Sequence, residues 1–147
     1  MNQKCQTVLI VDDEEDLTWS ISRRLGKAWD HIHIMCANSG KEALELMNKQ
    51  TVDLLITDIR MPEMDGYQLV QHVKENFPQT RIVFMSAYGS THREEFETLK
   101  VESFLEKPFE MDTLKRLITK LLNHFRDDSL EEIEIFQKSK LPEKFAW

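Results

Sequence analysis

The chain has 147 residues, is 41% hydrophobic and 31% charged, and contains only four glycines and four prolines, which excludes a low-complexity sequence and is typical of one folded domain. Its apolar runs are too short to span a bilayer, so we expect a cytoplasmic protein that does not enter membranes, with Cys5 and Cys36 as reduced thiols. The net charge of −7 argues against direct binding to nucleic acid, because such binding usually needs a basic face.

Five short apolar segments alternate along the chain with polar segments of helical periodicity. The apolar segments begin near Thr7, His31, Val52, Arg81 and Glu102. The first and third are almost continuous runs of β-forming apolar residues, as expected for strands buried on both faces of a parallel sheet. Repeated strand–helix units predict an α/β fold, a three-layer doubly wound sandwich with helices on both faces of the sheet.

Apolar stripes mark the helices, and the stripe of the first contains Leu17, Ile21, Leu25 and Ala28. The second helix should begin after Ser39, with Glu42 completing a capping box. The third should begin at Asp65 and end before Pro78. The fourth, around residues 91–100, has few apolar anchors, whereas the fifth has a stripe formed by Leu114, Leu117, Ile118, Leu121 and Leu122.

Residues that can do chemistry follow four of the five strands, and these strand ends lie on the same edge of a parallel sheet. Asp12 and Asp13 follow the first strand, Asp58 ends the third, Ser86 ends the fourth and Lys107 follows the fifth. Each alone has an ordinary explanation, as a helix cap or a solvated side chain. Together, three carboxylates would repel one another without a cation, and an oxygen ligand set favours Mg²⁺ over Zn²⁺.

Asp58 is the best candidate nucleophile among the three carboxylates because of the residues that flank it. A carboxylate can attack phosphorus and form an acyl phosphate when positive charge and hydrogen-bond donors hold the transferring oxygens. Lys107 offers a positive charge and Ser86 a hydroxyl donor, on strand ends that flank Asp58. We therefore predict that Asp58 accepts a phosphoryl group with Lys107 and Ser86 as its catalytic partners.

Four segments of the chain resemble the receiver domain of two-component response regulators: Val8–Glu14, Leu54–Gly66, Ile82–Ala87 and Phe104–Phe109. The resemblance covers residues 4–125 and implies a (βα)5 fold with the flavodoxin-like strand order 2-1-3-4-5. It also implies that a histidine kinase or a histidine phosphotransfer protein donates the phosphoryl group to Asp58.

The same resemblance implies a Mg²⁺ site and a control on the lifetime of the acyl phosphate. The implied ligands are Asp13, Asp58 and the backbone carbonyl of Arg60, and Asp12 would reach the ion through a water. Arg60 and Tyr88 would flank the path of the hydrolytic water. Because both side chains are bulky, we predict slow autodephosphorylation.

The resemblance further implies a conformational switch made of two side chains. Ser86 would move toward the phosphoryl group and Phe104 would move into the space that it leaves, although Phe104 can also be read as an ordinary core aromatic residue. The Lys107–Pro108 peptide would be cis. The surface of the fourth helix, fifth strand and fifth helix would then change, and it would contact a downstream protein target, an output domain outside this chain, or a second copy in a homodimer.

Residues 126–147 leave the receiver pattern, and we assign them to a C-terminal extension or linker. Ser129 is placed to begin a further short helix carrying Leu130, Ile133 and Phe136. A segment of about twenty residues is too short for a DNA-binding output domain. The chain is therefore either a stand-alone regulator or the front end of a longer protein.

Two other functions remain open at this point. A phosphatase with an aspartate nucleophile, of the haloacid dehalogenase type, has its second aspartate two residues after the first, whereas Asp12 and Asp13 are adjacent and Glu14 follows. A receiver-like interaction module that is never phosphorylated would not need Mg²⁺. We expect a signalling switch that catalyses its own phosphorylation rather than a turnover enzyme.

Overall fold

The structure, a computed structural model, describes residues 5–87 and 97–122. Its five strands are β1 (Gln6–Val11), β2 (Ile32–Ala37), β3 (Leu54–Asp58), β4 (Arg81–Ser86) and β5 (Ser103–Glu106). The helices are α1 (Glu15–Leu25), α2 (Gly40–Lys49), α3 (Gly66–Asn76) and α5 (Met111–Leu122), with α4 described over residues 97–99. Strands and helices alternate in the order that the sequence predicts.

All five strands are parallel and lie in the order β2-β1-β3-β4-β5. The predicted fold class and strand order are therefore confirmed. Every residue of β3 is buried, as its continuous apolar sequence indicates for a strand at the centre of the sheet. In such a fold, ligands bind at the carboxyl ends of the strands, near the point where the strand order reverses.

The sheet separates two hydrophobic cores, because successive side chains of a strand point to opposite faces. Val8 and Ile10 of β1 pack under α1 and α5, together with the predicted stripe of α5. Leu9 and Val11 pack on the other face, under α2 and α3. The helices on both faces give the three layers that the sequence predicts.

Helix α1 ends earlier than its apolar periodicity predicts. Leu17 is partly buried and Ile21 and Leu25 are buried, but Ala28 is exposed and lies beyond the helix. The backbone N–H of Gly26 bonds to the carbonyl of Ser22 and closes the last turn. The assignment of Ala28 to the apolar stripe was wrong, because the periodicity of a pattern does not report where the chain turns.

The predicted caps of α2 and α3 are present, with one difference. The Ser39 hydroxyl accepts a hydrogen bond of 3.0 Å from the Glu42 N–H, but the Glu42 carboxylate accepts from the N–H of Asn38 at 2.7 Å, one residue before the predicted partner. At α3, Asp65 and Gln68 form a complete capping box with two bonds of 2.9 Å. Both helices thus begin at the carboxyl edge of the sheet.

The last turn of α5 is held at the opposite edge of the sheet. The side chain of Gln6, at the start of β1, donates to the carbonyl of Leu122 at 3.4 Å, and the guanidinium of Arg81, at the start of β4, donates to the carbonyl of Leu121. Within residues 5–87 and 97–122, no helix is long and apolar enough to cross a membrane. The predicted short helix after Ser129 lies outside the described residues.

The two cysteines are free thiols with different surroundings. Cys5 is exposed and precedes β1. Cys36 lies in β2 and is half-buried, and burial raises the pKa of its thiol to about 11, with a smaller contribution from the charge of Glu42.

Candidate functional site

Three carboxylates meet at the carboxyl edge of the sheet, where the sequence places them. Asp12 and Asp13 follow β1 and Asp58 ends β3, and each offers an oxygen within 4.8 Å of the other two. Asp12 is fully buried, Asp58 is 8% exposed and Asp13 is exposed to solvent. Two of the carboxylates are therefore buried and the third faces solvent, so a small cation would approach the group from the side of Asp13.

Lys107, which follows β5, places its ammonium group among these carboxylates. The Nζ atom lies 2.5 Å from Asp12 Oδ2 and 3.3 Å from Asp58 Oδ2. A third contact of 3.3 Å joins it to Glu14 Oε1. One positive charge therefore faces several negative charges, and the excess negative charge favours a further cation.

Burial and close contact between charged groups shift the pKa values of Asp12, Asp58 and Lys107. Burial raises the pKa of Asp12, although the hydrogen bond from Lys107 acts in the opposite direction. Burial also raises the pKa of Asp58, and the charge of Asp12 raises it further. For Lys107 burial lowers the pKa, but the bond to Asp12 and the charge of Asp58 outweigh it and the pKa is raised. The ammonium stays protonated because the carboxylates hold it.

Backbone N–H groups fix the orientation of the two buried carboxylates. The N–H of Ile59 donates to Asp58 Oδ1 at 2.8 Å, and the N–H of Glu14 donates to Asp12 Oδ1 at 2.9 Å. Each carboxylate thus has one oxygen on the backbone and directs the other, Oδ2, at Lys107. This arrangement holds the reactive oxygens of the site in place before any ligand binds.

Ser86 and Lys107 are joined through the backbone at the ends of β4 and β5. The N–H of Lys107 donates to the carbonyl of Ser86 at 3.0 Å, and Ser86 is 2% exposed. The Lys107–Pro108 peptide is cis, as the resemblance implies. The structure therefore brings Ser86 to the same edge of the sheet as the carboxylates, on the strand next to Asp58.

The remaining predicted residues differ in what the structure says of them. Phe104 is 3% exposed and packs in the core under α2 and α3, so its ring points inward. Arg60 is exposed. It follows Asp58 by two residues, so its backbone carbonyl is close to the Asp58 carboxylate along the chain. Tyr88 lies outside the described residues. The roles of Arg60, Tyr88 and Phe104 stay predictions.

Asn38 is a residue of the site that the sequence analysis missed. Its side-chain nitrogen Nδ2 donates to the carbonyl of Asp12 at 2.8 Å and to the hydroxyl of Thr18 at 2.7 Å. It thereby ties the end of β2 to the loop that carries Asp12 and Asp13. The available signal was its position, directly after β2 at the same edge as the other site residues.

We expect Asn38→Ala to lower the free energy of unfolding by about 1–3 kcal/mol, because the partly buried Asp12 carbonyl and Thr18 hydroxyl both lose a donor. Urea unfolding followed by circular dichroism measures this difference. Asn48→Ala, at an exposed position of α2, is the matched control and should change the free energy of unfolding little. Equal effects of the two substitutions would contradict the role assigned to Asn38.

Gly66 allows α3 to begin against the backbone at the end of β3. Its N–H donates to the carbonyl of Ile59 at 2.7 Å. A Cβ atom at this position would lie 2.8 Å from the Cα of Ile59 and 3.1 Å from the carbonyl carbon of Asp58. The lack of a side chain at Gly66 therefore sets how closely α3 approaches the Asp58 segment.

The donor set of this cluster fits a hard divalent cation. The carboxylates of Asp12, Asp13 and Asp58 are close enough to share one ion. Oxygen ligands of this kind suit Mg²⁺, which keeps several of its own waters and needs few protein ligands. The exposed position of Asp13 leaves room on the solvent side for those waters.

Comparison with known proteins gives a consistent family. A model of the response regulator receiver domain matches residues 8–119. The chain is 34% identical over 132 residues to the response regulator protein PilR of Pseudomonas aeruginosa, and the match covers 88% of this chain and 29% of PilR. The chain thus spans less than a third of the length of this relative.

Solved structures show the same fold. The chemotaxis protein CheY4 of Vibrio cholerae superposes with a TM-score of 0.73 at 28% identity, over 80% of this chain and 98% of that one. The response regulator TrrA of Thermotoga maritima, in complex with Mg²⁺ and BeF, has a TM-score of 0.68 at 28% identity, over 79% and 98% of the two chains. The chain belongs to the family of response regulator receiver domains, as its four sequence segments predicted.

Proposed function

We propose that this receiver domain works as a signalling switch that is turned on when Asp58 accepts a phosphoryl group. The observation that carries the proposal is the position of the Lys107 ammonium between the buried carboxylates of Asp12 and Asp58. An ammonium group held beside a buried carboxylate at the carboxyl edge of a parallel sheet suits phosphoryl transfer better than a structural role.

In the proposed reaction, an Asp58 carboxylate oxygen forms a bond to phosphorus while the bond from phosphorus to the donor breaks. The donor leaves with the electron pair of that bond, and a histidine donor then takes up a proton. Lys107 moves from its carboxylate partners to the phosphoryl oxygens, and the Ser86 hydroxyl donates to another of them. The N–H of Ile59 continues to orient Asp58.

The proposed metal ligands are Asp13, Asp58 and the backbone carbonyl of Arg60, with Asp12 acting through a water. Mg²⁺ bound there would neutralise charge on the transferring oxygens. The mutual distances of the three carboxylates support the carboxylate part of this ligand set. The complex of TrrA, a relative of the same fold, with Mg²⁺ and BeF supports the choice of Mg²⁺ as the ion.

The finer parts of the proposal concern the output of the switch. Ser86 and Phe104 move together on phosphorylation, and the surface of α4, β5 and α5 then changes shape. A downstream protein, an output domain or a second copy of the chain would bind this surface.

A histidine kinase or a histidine phosphotransfer protein supplies the phosphoryl group. We place the receiver at residues 4–125 and the extension or linker at 126–147, while a cytoplasmic location and slow hydrolysis controlled by Arg60 and Tyr88 stay predictions.

The family match and strand order favour the receiver over the phosphatase alternative. The proposal is tested by incubating the protein with Mg²⁺ and acetyl phosphate and recording its intact mass. The expected result is a mass gain of one phosphoryl group in Mg²⁺, and no mass gain when EDTA is present during the incubation. A folded protein that gains no mass, and whose thermal midpoint does not respond to Mg²⁺ with beryllofluoride, would favour the interaction module that is never phosphorylated.

A further inference from the structure

Glu14 contacts the catalytic lysine from outside the acidic cluster. Its Oε1 atom lies 3.3 Å from Lys107 Nζ, and its side chain is 66% exposed, whereas the other two carboxylates that hold Lys107 are buried. The N–H of Glu14 donates to Asp12 Oδ1, which fixes the position of this residue relative to the cluster. Glu14 therefore reaches the ammonium group from the solvent side.

The three carboxylate partners of Lys107 are not equivalent once a cation binds. Asp12 and Asp58 belong to the group whose oxygens can share a divalent ion, so their negative charge is then divided between that ion and Lys107. Glu14 is not in that group. It keeps its full negative charge for Lys107, which must move to the phosphoryl oxygens if Asp58 is to be phosphorylated.

We propose that Glu14 is a positioning residue that competes with the incoming phosphoryl group for Lys107 and thereby slows the phosphorylation of Asp58. This inference rests on the proposed function and adds to it a control on the rate of activation. The competition is modest, because an exposed ion pair at 3.3 Å is screened by water and salt. Removing the charge of Glu14 should therefore raise the rate about two- to five-fold.

The first experiment compares Glu14→Gln with the wild type and with a matched control. The initial rate of phosphorylation by acetyl phosphate is followed by intact mass at saturating Mg²⁺. Glu15→Gln removes the same charge one residue further along, at an exposed position in the first turn of α1. Glu14→Gln should be about two- to five-fold faster than the wild type, and Glu15→Gln should be close to the wild type.

A second experiment asks whether Glu14 acts through Lys107. The rate gain from Glu14→Gln is measured again in a Lys107→Gln background, where it should disappear because the lysine for which Glu14 competes is absent. A readout that needs no phosphodonor is the ¹⁵N resonance of Lys107 Nζ in the Mg²⁺-loaded protein. It should shift in Glu14→Gln and stay in place in Glu15→Gln.

The outcomes separate this inference from the proposed function. A wild type that takes up no phosphoryl group overturns both. A wild type that is phosphorylated, with Glu14→Gln no faster than Glu15→Gln, overturns the inference alone. A rate gain that persists without Lys107 also overturns it, because Glu14 would then act only by repelling the anionic donor. Glu14→Asn, which keeps a good residue at the start of α1, repeats the test if Glu14→Gln does not fold.

Discussion

An Asp58→Asn variant should gain no mass from acetyl phosphate and Mg²⁺ under conditions in which the wild type gains one phosphoryl group. The amide nitrogen and oxygen of asparagine cannot act as the nucleophile that forms an acyl phosphate. The substitution keeps the size of the side chain and an oxygen that can accept from the Ile59 N–H, so the variant should fold. The loss of phosphorylation is expected to be complete rather than partial.

The same variant should be more stable than the wild type in buffer without Mg²⁺. Burial and the charge of Asp12 raise the pKa of Asp58 in the folded protein, so the ionised carboxylate is less favourable there than in the unfolded chain. The contribution of Asp58 to wild-type stability should therefore fall as the pH rises from its unfolded to its folded pKa, and it stays lower above that range. The thermal midpoint of Asp58→Asn should exceed that of the wild type by a few degrees at neutral pH.

Asp16→Asn, at an exposed position of α1, is the control for the loss of one carboxylate. It should be phosphorylated like the wild type and should show no comparable gain in thermal midpoint. Uptake of a phosphoryl group by Asp58→Asn, located by peptide mass mapping at another residue, would contradict the assignment of the acceptor. A lower midpoint than the wild type would contradict the electrostatic account.

Gly66→Ala should lower the free energy of unfolding by about 3 kcal/mol. A Cβ atom there would lie 2.8 Å from Ile59 Cα and 3.1 Å from the carbonyl carbon of Asp58, and both are backbone atoms at the end of β3 and directly after it. Backbone cannot move aside as a flexible side chain can, so α3 and the Asp58 segment must separate. Alanine would otherwise favour a helix over glycine by about 1 kcal/mol, so the predicted sign opposes helix propensity.

Gly40→Ala is the matched control for this prediction. Gly40 is also the first residue of a helix, but the atoms nearest its added Cβ would be side-chain atoms of Met64, Sδ at 2.6 Å and Cβ at 3.1 Å. A rotamer change can move the sulfur away, and the contact with the Met64 Cβ needs only a small shift. Urea unfolding should therefore show a much smaller cost for Gly40→Ala than for Gly66→Ala. Similar costs at the two positions would show that the close approach to the Asp58 segment does not determine stability.

The fold and the central site residues were predictable because their signals are local. Continuous apolar runs mark buried strands, and a polar residue directly after such a run must lie at the carboxyl edge. This reasoning placed Asp58, Ser86 and Lys107 on the same edge of the sheet, and the structure confirms that position. Their chemical roles were argued from the chemistry of these side chains and from the family resemblance, and they stay predictions.

The contacts of Asn38 and Glu14 could not be predicted in the same way. Asn38 binds a carbonyl 26 positions away in the chain, and Glu14 binds a lysine 93 positions away. Such contacts depend on how the loops that follow different strands approach one another, and no local sequence pattern predicts that approach. The early end of α1 is a similar case, because apolar periodicity continues to Ala28 after the helix itself has stopped.

The difference between the two thiols makes the natural sequence suitable for site-selective fluorescent labelling. Maleimides react with thiolates, and the raised pKa of Cys36, about 11, keeps that thiol protonated at neutral pH. Cys5 is exposed and precedes β1, at the edge opposite Asp58 and about 20 Å away along the strand. A dye on Cys5 would therefore report on the domain while leaving the carboxyl edge open to phosphodonors and partner proteins, with no cysteine replaced.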